Sequence, residues 1–86
     1  MDIELRCYGR VKQALGDRRL AVTLEDAATV GDLLDTLEDR YEAFDRDALS
    51  GPAGLIVMRD RRHLGVDAEL GAGDVVSLSD SPMVES

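Results

Sequence analysis

One stretch of this chain carries a clear helical period, and it limits what the remaining residues can build. Val30, Leu33, Leu34, Leu37 and Tyr41 recur at helical spacing and form one apolar stripe. Asp32, Asp35, Glu38, Asp39 and Glu42 cover much of the rest. Thr29 opens the segment: its hydroxyl is placed to accept from free backbone N–H groups, and Asp32 three residues on completes a capping-box pattern. A lone amphipathic helix has to bury its stripe against something else. In 86 residues, enough for one domain with one small core, that partner is a sheet.

The strands read from alternation. Asp2-Ile3-Glu4-Leu5-Arg6-Cys7-Tyr8 alternates polar and apolar, with Ile3, Leu5 and Cys7 on one face. Residues 9–17 form a polar connection whose Val11, Ala14 and Leu15 suit a helical turn. Arg19 to Leu24 alternates again, with Leu20, Val22 and Leu24 toward the core, which suggests an N-terminal hairpin. Residues 44–51 read as a polar connection, and Gly51-Pro52-Ala53-Gly54 is a strong breaker. Leu55-Ile56-Val57-Met58 follows as a short strand, with Leu55 and Val57 facing one way and Ile56 and Met58 the other. Residues 63–66 suit a short return strand, and Ala68 and Leu70 fall in a connection. Gly71-Ala72-Gly73-Asp74 is a turn into a last strand, residues 75–79, with Val76 and Leu78 on the core side. The expected architecture is α+β: a mixed sheet of four to five strands packed on one main helix. Residues 1–80 form the domain and 81–86 a flexible tail.

Composition narrows function. Net charge is -8, with 18 acidic residues against 10 basic, of which Lys12 is the only lysine. Such a balance disfavours nucleic acid and anionic lipid as partners. Abundant Asp with almost no Lys also looks like the proteins of salt-loving organisms, and the like-charge helix pairs Asp32/Asp35, Asp35/Asp39 and Glu38/Glu42 lead us to expect salt-dependent folding. No apolar run is long enough to span a membrane, and the start lacks the layout of a signal peptide, so a cytoplasmic protein is expected. Cys7, in phase with Ile3 and Leu5, reads as a small buried hydrophobe. One cysteine and the single His63 are too few for a zinc site in one chain, and no phosphate-binding glycine loop is present. No catalytic residue, metal site or cofactor is expected, and the chain does not read as an enzyme.

Ala28-Thr29-Val30-Gly31-Asp32-Leu33-Leu34, Gly73-Asp74-Val75-Val76-Ser77-Leu78 and the tail Ser81-Pro82-Met83-Val84-Glu85-Ser86, in this order and spacing, resemble the ubiquitin-like sulfur carriers and small archaeal modifier proteins. The resemblance covers nearly the whole chain and implies a ubiquitin-like β-grasp fold. In that family the terminal carboxylate of a Gly-Gly tail is adenylated, then converted to a thiocarboxylate or joined to a lysine. Pro82 matches a family proline, while Glu85 and Ser86 stand where Gly-Gly is expected. Glycine suits a narrow channel that admits backbone without side chains, and burying the unpaired Glu85 charge there is costly.

Two functions follow as expectations. The first is a non-covalent protein-binding module that uses the open sheet face, where Ile56 and Met58 beside Val75 form an apolar patch rimmed by Arg59 and Arg6. The second is a sulfur carrier or protein modifier activated at its C-terminus. The resemblance implies an E1-like activating enzyme or a molybdopterin-synthase large subunit as partner in that case. Arg18-Arg19 and Arg59, Arg61 and Arg62 form small basic clusters that suit either local pairing with Asp or docking of an acidic partner.

Overall fold

The computed structural model describes residues 1–49 and 55–79. The element order is β1 (Asp2–Cys7), α1 (Gly9–Leu15), β2 (Arg19–Thr23), α2 (Val30–Arg40), α3 (Arg46–Leu49), β3 (Ile56–Arg59), β4 (Arg62–His63) and β5 (Val75–Ser79). The strands form one sheet in the order β2-β1-β5-β3-β4. The sheet is mixed: β1 and β5 run parallel at its centre, and every other pairing is antiparallel.

Alternation sets the two faces of this sheet. Ile3, Leu5 and Cys7 of β1, Val22 of β2, Val57 of β3, and Val76 and Leu78 of β5 turn toward the helices. They join Val30, Leu33, Leu34 and Leu37 of α2 and Val11 and Leu15 of α1 in one buried cluster. The anticipated apolar stripe is thus the helix half of the core, except that α2 ends at Arg40 and Tyr41 is its C-cap, half-buried against the cluster. Both arms of the capping box form: the Asp32 N–H donates to Thr29 Oγ1 at 3.3 Å, and the Thr29 N–H donates to Asp32 Oδ2 at 2.9 Å. Two further N–H groups of the first turn find backbone partners, Val30 donating to the Ala68 carbonyl (3.0 Å) and Gly31 to that of Val66 (2.9 Å). The helix start is therefore tied to the segment ahead of β5.

Several elements differ from the sequence reading. Residues 9–15 form a complete two-turn helix, because Val11 and Leu15 share one face and both bury. Gly16, at φ 80°, ends it by donating its N–H to the Lys12 carbonyl. β1 and β2 consequently pair across a helix and not a tight hairpin. The connection after Tyr41 contains α3, fixed by Arg46: its guanidinium holds both Glu38 (Nη2–Oε1 2.7 Å) and Asp35 of α2. Phe44 and Leu70, placed in connections by periodicity, are buried in the core at 2% and 4% exposure. The return strand β4 spans only two residues. It is reached through a turn at Asp60 and Arg61 in which both residues have positive φ (53° and 66°), the handedness of a two-residue type I′ turn. The Asp-Arg pair lacks the Asn-Gly signature that announces such turns.

Cys7 is fully buried beneath the helices, and desolvation pushes its thiol pKa up to about 11 from 9.0. The protonated thiol is the favoured form in the fold. Its contribution to stability is therefore complete at neutral pH and declines as pH rises from about 9 towards about 11. Native protein at pH 8 is expected to resist a disulfide-exchange reagent, whereas protein unfolded in guanidinium reacts at once; fast native labelling would contradict the burial. Replacing Thr29 by Ala is expected to lower unfolding stability by about 1 kcal/mol through loss of the cap. Leu33→Ala is expected to cost about 2–5 kcal/mol by opening a cavity in the core. Urea titration followed by circular dichroism measures both.

Candidate docking face

The face turned away from α2 is built by strand register. Arg6 lies opposite Arg19 on β2 and Ser77 on β5; Ser77 lies opposite Met58 on β3, and Met58 opposite His63 on β4. Residues in register share a face, so Arg19, Arg6, Ser77, Met58 and His63 form one row across all five strands. On one side of it lie Ala21, Glu4 and Val75, and on the other Ser79 and Ile56. Arg6 is not a free charge in this row: its Nε donates to Glu4 Oε2 at 2.9 Å, and this bond holds the guanidinium above its ordinary pKa. Tyr8, Met58, Asp60, Arg61, Ser77 and Ser79 line a small recess of about 160 Å³ beside the row. Its lining residues are chemically mixed, but the surface they turn into it is mostly apolar.

The five residues expected at this face separate. Ile56, Met58, Val75 and Arg6 all point to it, as their phase requires. Ile56, however, is only 8% exposed and stands outside the main core cluster, so its burial takes it out of the exposed patch. Val75, at 40%, is the large apolar residue most open to solvent here, with Met58 half-buried one row away. Arg59 does not rim this face. It alternates with Met58, and its Nη1 donates to Asp74 Oδ2 (2.8 Å) and to the Glu69 carbonyl (3.0 Å). Asp74 also accepts from the Gly71 N–H at 2.7 Å. That backbone bond, helped by Arg59, keeps the Asp74 carboxyl below its usual pKa. Arg59 is thus a structural clamp between β3 and the turn into β5.

His63 is exposed on β4. Arg18, Arg61 and Arg62 are exposed as well. The tail residues Pro82, Met83, Val84, Glu85 and Ser86 lie outside the described residues. Among the described residues no group of three or more His, Cys, Asp or Glu is arranged to hold a metal ion, and no helix is long and apolar enough to cross a membrane. Sequence reasoning missed the recess. Tyr8, in phase with Arg6, was a readable signal for it; Asp60 and Arg61 were not, because they reach it through the left-handed turn.

Comparison with known proteins places this arrangement. SAMP1 from Haloferax volcanii is similar at 25% identity over 100% of this chain and 99% of that one, with a TM-score of 0.76. A putative molybdopterin converting factor, subunit 1, from Pyrococcus furiosus is 25% identical over 92% of this chain and 95% of that one, also at 0.76. A further Haloferax volcanii protein, solved in solution, is 29% identical over 92% of this chain and 81% of that one, again at 0.76. No curated protein sequence gave a match. The fold is the ubiquitin-like β-grasp. The sequence profile of the ThiS family matches residues 5–78, which run from within β1 to within β5 and take in every element between them, and the chain belongs to that family.

Proposed function

We propose that this protein is a ubiquitin-like docking module of the ThiS family. It binds a protein partner non-covalently through the sheet face opposite α2 and carries a terminus that a standard activating enzyme does not adenylate. The observation that carries the proposal is the sequence Glu85-Ser86 in the register of Gly-Gly. A charged side chain and added bulk beside the reacting carboxylate raise the barrier to activation. Each ~1.4 kcal/mol slows the step about tenfold. The row through Arg19, Arg6, Ser77 and Met58 supplies the contact surface, and the chain is not itself a catalyst.

The second reading is a cytoplasmic sulfur carrier or protein modifier, activated at its C-terminus by an E1-like enzyme adapted to Glu-Ser and delivering to a synthase large subunit or a lysine. The family match over residues 5–78 and the likeness to SAMP1 and to a putative molybdopterin converting factor subunit favour it. Mass spectrometry of protein purified from its own cells separates the two. A free Ser86 carboxylate with no adduct supports the docking module, whereas a terminal thiocarboxylate or a Ser86-linked lysine remnant overturns it. Exchange of Glu85-Ser86 for Gly-Gly is then expected to create conjugation or thiocarboxylation that the native terminus lacks.

We also propose that the domain is adapted to high salt. Asp32, Asp35 and Asp39 are exposed on α2, with Glu42 just beyond it, and Arg46 answers Asp35 and Glu38. Raising salt to about 1 M shortens the Debye length to about 3 Å and screens what remains. The melting temperature is expected to climb between low and molar sodium chloride, and more steeply in Arg46→Ala; equal melting at both salts would refute the adaptation.

A further inference from the structure

The two edges of the sheet are built differently. β4 closes one edge with two residues, Arg62 and His63, both exposed and polar: a short, charged strand that discourages further pairing. The other edge is β2, five residues reading Arg-Leu-Ala-Val-Thr, with no proline or lysine. Among the described residues no strand pairs with its outer side.

Hydrogen-bond parity shows what this edge offers. Met1 and Leu24 exchange both bonds (2.6 and 2.8 Å), and Cys7 donates to the Arg18 carbonyl at 2.9 Å. In an antiparallel pair such bonded residues alternate with non-bonded ones. Arg18, Leu20, Val22 and Leu24 therefore face β1, and the N–H and C=O groups of Arg19, Ala21 and Thr23 point outward. All three residues are exposed.

From this edge we infer that the protein self-associates through β2, two copies pairing antiparallel about a two-fold axis at Ala21. The occupant follows from register and charge. With Ala21 opposite its own copy, each outward N–H meets an outward C=O, the Arg19 N–H exchanging its long bond to Asp17 Oδ1 (3.4 Å) for the other strand, and the small alanine side chains meet without a clash at the axis. Arg19 of one copy then lies opposite Thr23 of the other. Thr23 donates its hydroxyl to Asp2 Oδ1 at 2.9 Å, next in the same cross-strand row. Each guanidinium is thereby delivered beside the other copy's Asp2 carboxylate, twice by symmetry. The shallow groove along Asp2, Glu4, Arg19 and Ala21 leaves the arginine room to lie across the face. The contact area is small and both copies carry -8, so the dimer is weak and strengthens with salt, which screens the overall repulsion. This interface shares Arg19 with the proposed partner contact but not Met58, Ser77 or Arg6, and because it is read by self-association alone its failure would leave that reading untouched.

The test is sedimentation equilibrium from micromolar to millimolar protein in molar salt. Wild type is expected to move toward twice the monomer mass, with the Ala21 amide gaining exchange protection as concentration rises. Ala21→Pro removes an N–H that serves only the outer edge, and should abolish dimerisation while circular dichroism shows the fold intact. Arg19→Asp should weaken association at least tenfold, and combining it with Asp2→Arg should restore it. A wild type that stays monomeric at millimolar concentration overturns the inference. So does a folded Ala21→Pro that dimerises like wild type, and a charge swap that fails to recover association rules out the proposed register.

Discussion

The parallel pairing of β1 with β5 is the contact on which the rest of this domain depends. It joins the first strand to the last described one, so almost the whole chain must be placed before it forms. A parallel pair needs a crossover connection, and here the crossover contains both main helices and the other three strands. The pair also supplies the middle of the core. Leu5 faces Val76, Cys7 faces Leu78, and all four are fully buried under α1 and α2. Smaller locks secure the approach to β5. Asp74 gathers the Gly71 N–H and the Arg59 guanidinium, and the Glu4 N–H donates to the Asp74 carbonyl at 2.9 Å. Gly73, at φ 81°, makes the turn and donates to the Asp2 carbonyl. Arg59, of the anticipated basic cluster, is in this respect part of the scaffold, whereas Arg61 and Arg62 are exposed.

Much of this was legible in the chain because local pattern and tertiary demand agree. Thr29 and Asp32 announce a cap that forms as read, and Ile3, Leu5 and Cys7 fall on the face that α2 covers. What escaped was information that periodicity does not carry. Seven residues hold too few repeats to distinguish α1 from a turn. α3 depends on Arg46 reaching back to α2, a contact eight and eleven residues distant. Leu70 looks like a loop residue until its N–H is seen to bond the Ala28 carbonyl, which draws it into the core. The candidate face shows the same division. Alternation assigned Ile56, Met58, Val75 and Arg6 to one side correctly, but it does not report burial. Arg59 failed for a simpler reason: as the neighbour of Met58 in a strand it had to point the other way.

Charge is distributed unevenly over the two layers. The exposed surface of α2 carries Asp32, Asp35 and Asp39 with Arg40 among them and Arg46 reaching back to Asp35 as counter-charges, and Glu25 and Asp26 lie just before it. On the sheet face acids and bases are interleaved: Asp2 and Glu4 with Arg6 and Arg19, and Asp60 beside Arg61. A partner with its own negative surface is repelled by the helix layer and meets no such penalty at the sheet. In the docking proposed above, orientation would be set at long range by the side that repels, and at short range by the row from Arg19 to Met58.

The layering also bears on the surroundings of β5. This strand lies between β1 and β3, and its Ser77 and Ser79 line the recess. Anything seated on the sheet face therefore also reaches the C-terminal end of β5. The face is specified by strand register, whereas the chemistry that the family resemblance implies would belong to residues beyond this strand, so the one can vary without the other.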